Sequence, residues 1–472
     1  MHAGNLRRIR LRLFGRRNVK LRVAAASYWI CASIAVCTLG ISVTTLGQDL
    51  ETNAPTESPI PTTTLPPFGS AEIQPASASG NPGMAPSAPI AGTSQLAAPS
   101  AGPATPASGQ APLNLGFVHL FPHVNYQFSY GNGLQATPGQ QSDTIINQVS
   151  PGILMRLGNQ LTLDYTPTLR YYSDPHFKDG VDQSVSLNWA TTYQDWILGL
   201  SQSYLSTSQP LIETGAQTDQ ETFATSLNGT YQMSGKLSLD LGVNQSFRYL
   251  NQGVASEGLS NTREWSTADW LNYQLEPQLK VGIGAGFSYI NVSVGPDMTS
   301  EQLQARIIWQ IGNKLSFQLS GGLNDLQFLN SAIPDLLTPI ASLSAQYRLF
   351  EPTTLSISVN RTVAPSYFQS ETTEGTTVSA GVRQRLLGKL YLGVNGGYST
   401  QTFHSTTVTP GAALSNYSTS SFNVSLSAAL LKRASASIFY QETYVSTSGM
   451  GTSTALYNYS TRQAGFSLGY QF

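Results

Sequence analysis

The sequence predicts an all-β protein: a transmembrane, antiparallel, up-and-down β-barrel of about 18 strands, preceded by a disordered Pro-rich segment. Three observations carry this. From Leu113 onward apolar and polar residues alternate with period two, as in Leu237-Leu239-Leu241-Val243 interleaved with Ser238, Asp240, Gly242 and Asn244. Tight turns alternate with longer connections along the same region. Only 11% of the chain is Asp, Glu, Lys or Arg, against about a quarter in a typical soluble protein. Ser, Thr, Asn, Gln, Gly and Tyr supply the polarity instead, a mixture that favours strands and turns over helix.

The first element, residues 1–47, has the layout of a secretory signal peptide. Eight basic residues, from Arg7 to Arg22, precede an apolar run from Val23 to Leu46, and Thr45 and Gly47 are spaced for cleavage before Gln48. An uncleaved membrane anchor is the alternative, since about 20 apolar residues can span a bilayer. Both cysteines, Cys31 and Cys37, lie in this run, so the exported chain would hold no thiol or disulfide. Its 17 bases would face 26 acids. That balance argues against a nucleic-acid partner. Residues 48–112 form the second element, with 13 of the 26 prolines and no Lys or Arg. Such a segment buries too little apolar surface to offset the entropy of ordering. It is expected to be a disordered periplasmic linker.

The third element, 113–472, reads as strands near 117–130, 144–157, 160–172, 181–193, 196–205, 220–232, 237–250, 263–275 and 279–292. The pattern continues at 299–311, 315–328, 338–349, 354–366, 375–387, 390–403, 417–430, 434–447 and 459–472. Every second connection is short, as at Gly158-Asn159 and Gly388-Lys389, and those between are longer, as at 206–219 and 404–416. An outer-membrane barrel has this parity, with short periplasmic turns and longer external loops. Strands of 10–14 residues tilted about 40° cross an apolar band ~25 Å tall. Closure also satisfies every backbone group in lipid. The lipid-facing residues read as similarly apolar all around, and no loop is long enough to suggest a large constriction.

If the alternation holds, Arg156, Arg170, Arg248, Arg306, Arg348, Arg383 and Arg385 point into the lumen, with Asp164, Asp182 and Asp240. Charge on the lipid face is costly, so the lumen is where such residues belong. Two readings stay open: excess arginine favours anionic solutes, or the arginines hydrogen-bond across the interior and occlude it. No cofactor or metal is expected. His119 and His123 share a strand face about 13 Å apart, too far to hold one ion, and His176 and His404 read as loop residues. Gly282-Ile283-Gly284-Ala285-Gly286 precedes no helix, so these glycines read as room for neighbouring bulk.

The ending Phe466-Ser467-Leu468-Gly469-Tyr470-Gln471-Phe472 resembles the C-terminal assembly signal of outer-membrane barrels, which implies the barrel-assembly machinery as a partner and Phe466, Leu468, Tyr470 and Phe472 as the residues recognised. Through its short hairpins and Arg383-Gln384-Arg385-Leu386-Leu387-Gly388-Lys389-Leu390, the region 113–472 resembles the outer-membrane β-barrel porins of exopolysaccharide gene clusters. That resemblance implies passive transport or polysaccharide export, with polysaccharide-export components and outer-membrane lipid as partners. The expected function is a non-catalytic, porin-like or export conduit in the bacterial outer membrane. A structural or adhesive barrel is the alternative, and an outer-membrane hydrolase the third reading.

Overall fold

The computed structural model describes residues 113–137, 139–211, 213, 215–250, 259–406, 415–448 and 458–472. The expected signal peptide and linker therefore lie outside the described residues. Within them the chain forms β1 (Leu113–Leu115) and then 18 long strands, β2 (Val118–Thr137) to β19 (Tyr459–Gln471). Each strand pairs antiparallel with its sequence neighbours. β19 closes on β2, with Phe466 opposite Phe128 and Gln471 opposite His123. β1 pairs with Val118–Leu120, the part of β2 that lies beyond the end of β19.

The turns at the rim that carries both barrel ends, here the terminal rim, are tight. Gly158 and Gly388 take positive φ there (57° and 61°), a backbone state that glycine adopts without steric cost. The opposite end is the loop rim. Several strands match the expected spans residue for residue, including β8 (Leu237–Leu250), β10 (Leu279–Val292) and β12 (Leu315–Phe328). Others run further toward the loop rim. β6 (Trp196–Leu211) and β7 (Ala216–Gln232) absorb most of the expected 206–219 loop, and β2 and β3 (Gln140–Leu157) absorb most of 131–143. β16 (Leu390–Ser405) likewise includes His404, which is a strand residue beside Glu374 rather than a loop residue.

One face of the barrel wall is apolar and exposed. Ile283 is 64% and Leu303 69% accessible, and cross-strand partners share a face, so Ile283, Ala305 and Gly321 point outward together. Aromatics flank this belt, with Trp265 stacked on Tyr289 at 6.0 Å and Trp196 on Tyr231 at 4.9 Å. Amphipathic rings favour the membrane interface. The molecule is thus a closed, transmembrane, 18-stranded antiparallel β-barrel.

Candidate functional site

Strand parity places the polar residues inside. On β11 (Met298–Ile311) the odd residues Leu303, Ile307 and Trp309 are exposed on the outer face, which turns Arg306 inward. The same count turns Arg156, Asp164, Arg170, Asp182, Asp240 and Arg248 inward, and on the far wall Arg348, Arg383 and Arg385.

These residues fall into three groups. In the first, charges are matched. Arg170 meets Asp182 at 2.7 Å, both side chains buried. Arg306 pairs with Asp240, and its Nε donates to Asn272 Oδ1 at 2.8 Å while Asn272 donates to Asp240 at 2.9 Å. The Arg306 guanidinium also lies 4.3 Å from the Trp270 ring centroid. Gly284 makes this possible, because a Cβ there would collide with the Trp270 ring. Gly282 likewise leaves room for Asn272 and Arg306, so these two glycines are room for neighbouring bulk.

The second group is at the terminal rim. Arg348, Thr354, Arg383 and Gly393 form one cross-strand row on β13 (Leu336–Phe350), β14 (Thr353–Pro365), β15 (Glu371–Arg385) and β16, and Arg385 stands opposite Tyr391. All three arginines are exposed, and Arg383 lies 4.9 Å from the Tyr391 ring centroid. None has a carboxylate partner among the described residues. Arg156 sits nearby in height, 5.0 Å from the Phe121 ring. Asp164, the remaining acid, accepts from Thr166 at 2.7 Å. Above this rim, Ser344, Ser358, Thr377 and Asn395 point inward on β13–β16 yet are solvent-exposed, as are Ser184, Asn188 and Ser201 on β5 (Gly180–Tyr193) and β6. The lumen is accessible to water along these walls.

The third group closes the loop rim, and sequence reasoning missed most of it. The loop 366–370 between β14 and β15 folds into the barrel. Tyr367 is 0% exposed, with Arg248 stacked 4.0 Å from its ring centroid. Arg248 also donates to the Ser366 carbonyl at 2.9 Å. From the loop between β6 and β7, Glu213 reaches in, 1% exposed, and its Oε1 accepts from both Ser366 Oγ at 2.7 Å and Tyr367 N–H at 2.9 Å. Burial pushes the Glu213 carboxyl up to about 7, against the partial relief of those two donors and Arg248. Phe368 spans the opening. It packs on Leu211, Leu250, Leu259 and Tyr367 from one side and on Phe403, Tyr417, Val445 and Tyr459 from the other. The tip of β2 folds inward too, through a register shift after Gly131, and buries Leu134 with Ala136, Ile146 and Phe177.

The remaining expected residues are placed as follows. His119 hydrogen-bonds Asn114 and His123 bonds Thr166, while exposed His176 bonds Asp174. At the C-terminus Phe466, Leu468, Tyr470 and Phe472 form an exposed outer stripe, with Phe466 stacked on Phe128 at 5.5 Å and Tyr470 against Phe472 at 4.9 Å.

No family model and no curated protein matches the chain. Among solved structures, it is similar to the siderophore receptor PirA from Pseudomonas aeruginosa, at 11% identity and a TM-score of 0.40, over 75% of this chain and 80% of that one. It is also similar to OccK11 (OpdR) of the same organism, at 14% identity and a TM-score of 0.40, over 75% of this chain and 96% of that one. OccK3 (OpdO) gives 11% identity, a TM-score of 0.40, and 75% and 95% coverage. At these values no function passes from those proteins to this one.

Proposed function

We propose that the chain is a bacterial outer-membrane barrel serving as a non-catalytic conduit for anionic solutes, held shut at its loop rim in the form described. The observation that carries this reading is the exposed, inward polar wall of β13–β16 ending in Arg348, Arg383 and Arg385, which have no acidic partners among the described residues. Fixed positive charge at a wet mouth attracts anions. Export of an acidic polysaccharide is the finer version and rests on the resemblance drawn from Arg383–Leu390. A structural barrel is favoured by one feature only, the apolar crossbar of Tyr367 and Phe368.

Planar-bilayer recordings separate these. The expected outcome is small or intermittent anion-selective conductance, raised severalfold in the Tyr367→Ala, Phe368→Ala double variant. A folded double variant that conducts no ions overturns the conduit reading.

A further inference from the structure

The outer belt is not uniformly apolar, contrary to the sequence expectation. On β6–β8 the outward residues Gln202, Thr225 and Gln245 are cross-strand neighbours in one row. On β9 (Thr262–Glu276) the outward residue Asp269 is exposed, with Leu241 and Ala285 as its cross-strand partners and Leu271 next on its own face. It stands four residues from each outward aromatic of its strand, Trp265 and Tyr273. At ~3.3 Å per residue that is roughly 13 Å along the strand from either, the middle of a belt about 25 Å tall.

Other outward carboxylates stand at the loop-side girdle: Glu442 pairs with Arg462, Glu374 with Arg361 and Asp297 with Tyr289, while Glu301 is exposed there beside Asp325. Asp269 meets only the backbone N–H of Gly242 and has no side-chain partner among the described residues. A carboxylate facing lipid at this depth is destabilising unless something covers it.

We propose that this face is the contact between two copies of the chain related by a two-fold axis, Asp269 of each accepting hydrogen bonds from the Gln202 or Gln245 amide of the other. The patch carries its own complement, with amide and hydroxyl donors beside a carboxylate acceptor. Such a surface satisfies itself when the same patch meets its copy, which is the isologous geometry of a closed dimer. A ring of three or more needs a second, different patch. No other mid-belt patch of this kind occurs among the described outward residues. The wall beside it also permits close approach, because Ala305, Gly321 and Ala341 are outward neighbours on β11–β13. In lipid there is no hydrophobic drive between apolar walls, so polar contacts and tight packing are what hold membrane segments together.

The test is the mass of the full-length protein, by native mass spectrometry from mild detergent and from native-lipid nanodiscs. A dimer is expected. Asp269→Leu should give monomers that still show heat-modifiable migration. Ala285→Phe, which lipid tolerates but a closely packed partner does not, should do the same, and Ala428→Phe on the opposite wall should leave the dimer intact. A wild-type monomer, a trimer, a complex with a different protein, or a dimer that survives both Asp269→Leu and Ala285→Phe overturns the proposal.

Discussion

Inside the barrel, what each arginine does follows from whether a carboxylate is within reach. Arg306 is held by Asp240, Asn272 and the face of Trp270, and its guanidinium is almost fully buried. Removing one member of such a pair leaves the other charge unmatched in a poorly solvated place, which costs about 3 kcal/mol, whereas removing both costs less. Arg306→Met should therefore lower the melting temperature of the folded barrel clearly, and adding Asp240→Leu should restore most of the loss. Circular dichroism across the double-mutant cycle checks it. Equal or greater damage in the double variant would show that the pair is not coupled. Arg383 and Arg385 differ, since they are exposed and have no acidic partner among the described residues. Replacing both with Gln should leave folding intact and reduce anion over cation permeability, read from reversal potentials under a salt gradient. An unchanged reversal potential would remove these two residues from the pore.

At the scale of the element, the loop 366–370 works as a crossbar and Glu213 as its latch. Among the described residues both side-chain and backbone donors to Glu213 use Oε1, so Oε2 is the oxygen placed to carry a proton. Latched, the carboxyl titrates at about 7; released into water, it titrates in the ordinary range of about 4.3. The latched form therefore holds a proton that the open form lacks across that interval, so latching is strongest at or below the lower value and weakens as pH rises to the upper one. The span corresponds to roughly 4 kcal/mol. The charged neighbours are Arg248, whose positive charge opposes the rise, and Glu371, whose like charge works with burial; burial pushes the Tyr367 hydroxyl up, out of the interval. Conductance should rise between about pH 4 and pH 7, and Glu213→Gln should flatten that rise. A rise of equal size in Glu213→Gln would assign it to another group. β19 offers a separate test: its outer stripe ends at Phe472, so Phe472→Ser should lower the amount of heat-modifiable barrel in the membrane. Unchanged levels would deny the terminal aromatic a role in assembly. The two elements also differ in how far they could be read from sequence. β19 was legible because lipid on one face and water on the other force alternation. That signal fades where β6 and β7 leave the membrane, since Gln217, Thr218 and Asp219 are polar on both faces although they are paired strand. The latch joins residues about 150 positions apart through loops without periodicity, so nothing local marks it. The inward parity of the arginines was legible; which of them are neutralised was not, because ion pairing depends on cross-barrel register. Asp269 was missed, because the lipid-facing residues read as similarly apolar all around and one carboxylate in a long alternating strand does not break the pattern.

Across the whole molecule, charge is sorted between the two rims. The terminal rim carries Lys236, Lys314, Lys389, Lys432 and Arg433 on its turns and Arg348, Arg383 and Arg385 inside, against Asp195, Glu276 and Glu351. The loop rim carries Asp143, Asp174, Asp179, Glu213, Asp219, Glu221, Glu301, Asp325, Asp335, Glu374 and Glu442 among its acids, against Lys178, Arg248, Arg263, Arg361 and Arg462. A pore with positive charge at one mouth and negative charge at the other presents ions with a different entry field from each side, and unlike the crossbar this asymmetry does not depend on a moving part. Single channels opened by Tyr367→Ala with Phe368→Ala should therefore pass unequal currents at opposite voltages of the same size. Salt separates this from a gating effect. The Debye length falls from about 10 Å at 0.1 M to about 3 Å at 1 M, so fixed charge on the wall of a wide lumen loses its reach while a steric constriction does not. The inequality should be large at 0.1 M, nearly absent at 1 M, and reduced at low salt when Arg348, Arg383 and Arg385 are all changed to Gln. Rectification that persists at 1 M and survives the triple change would place its origin in the shape of the loop rim and not in the sorting of charge.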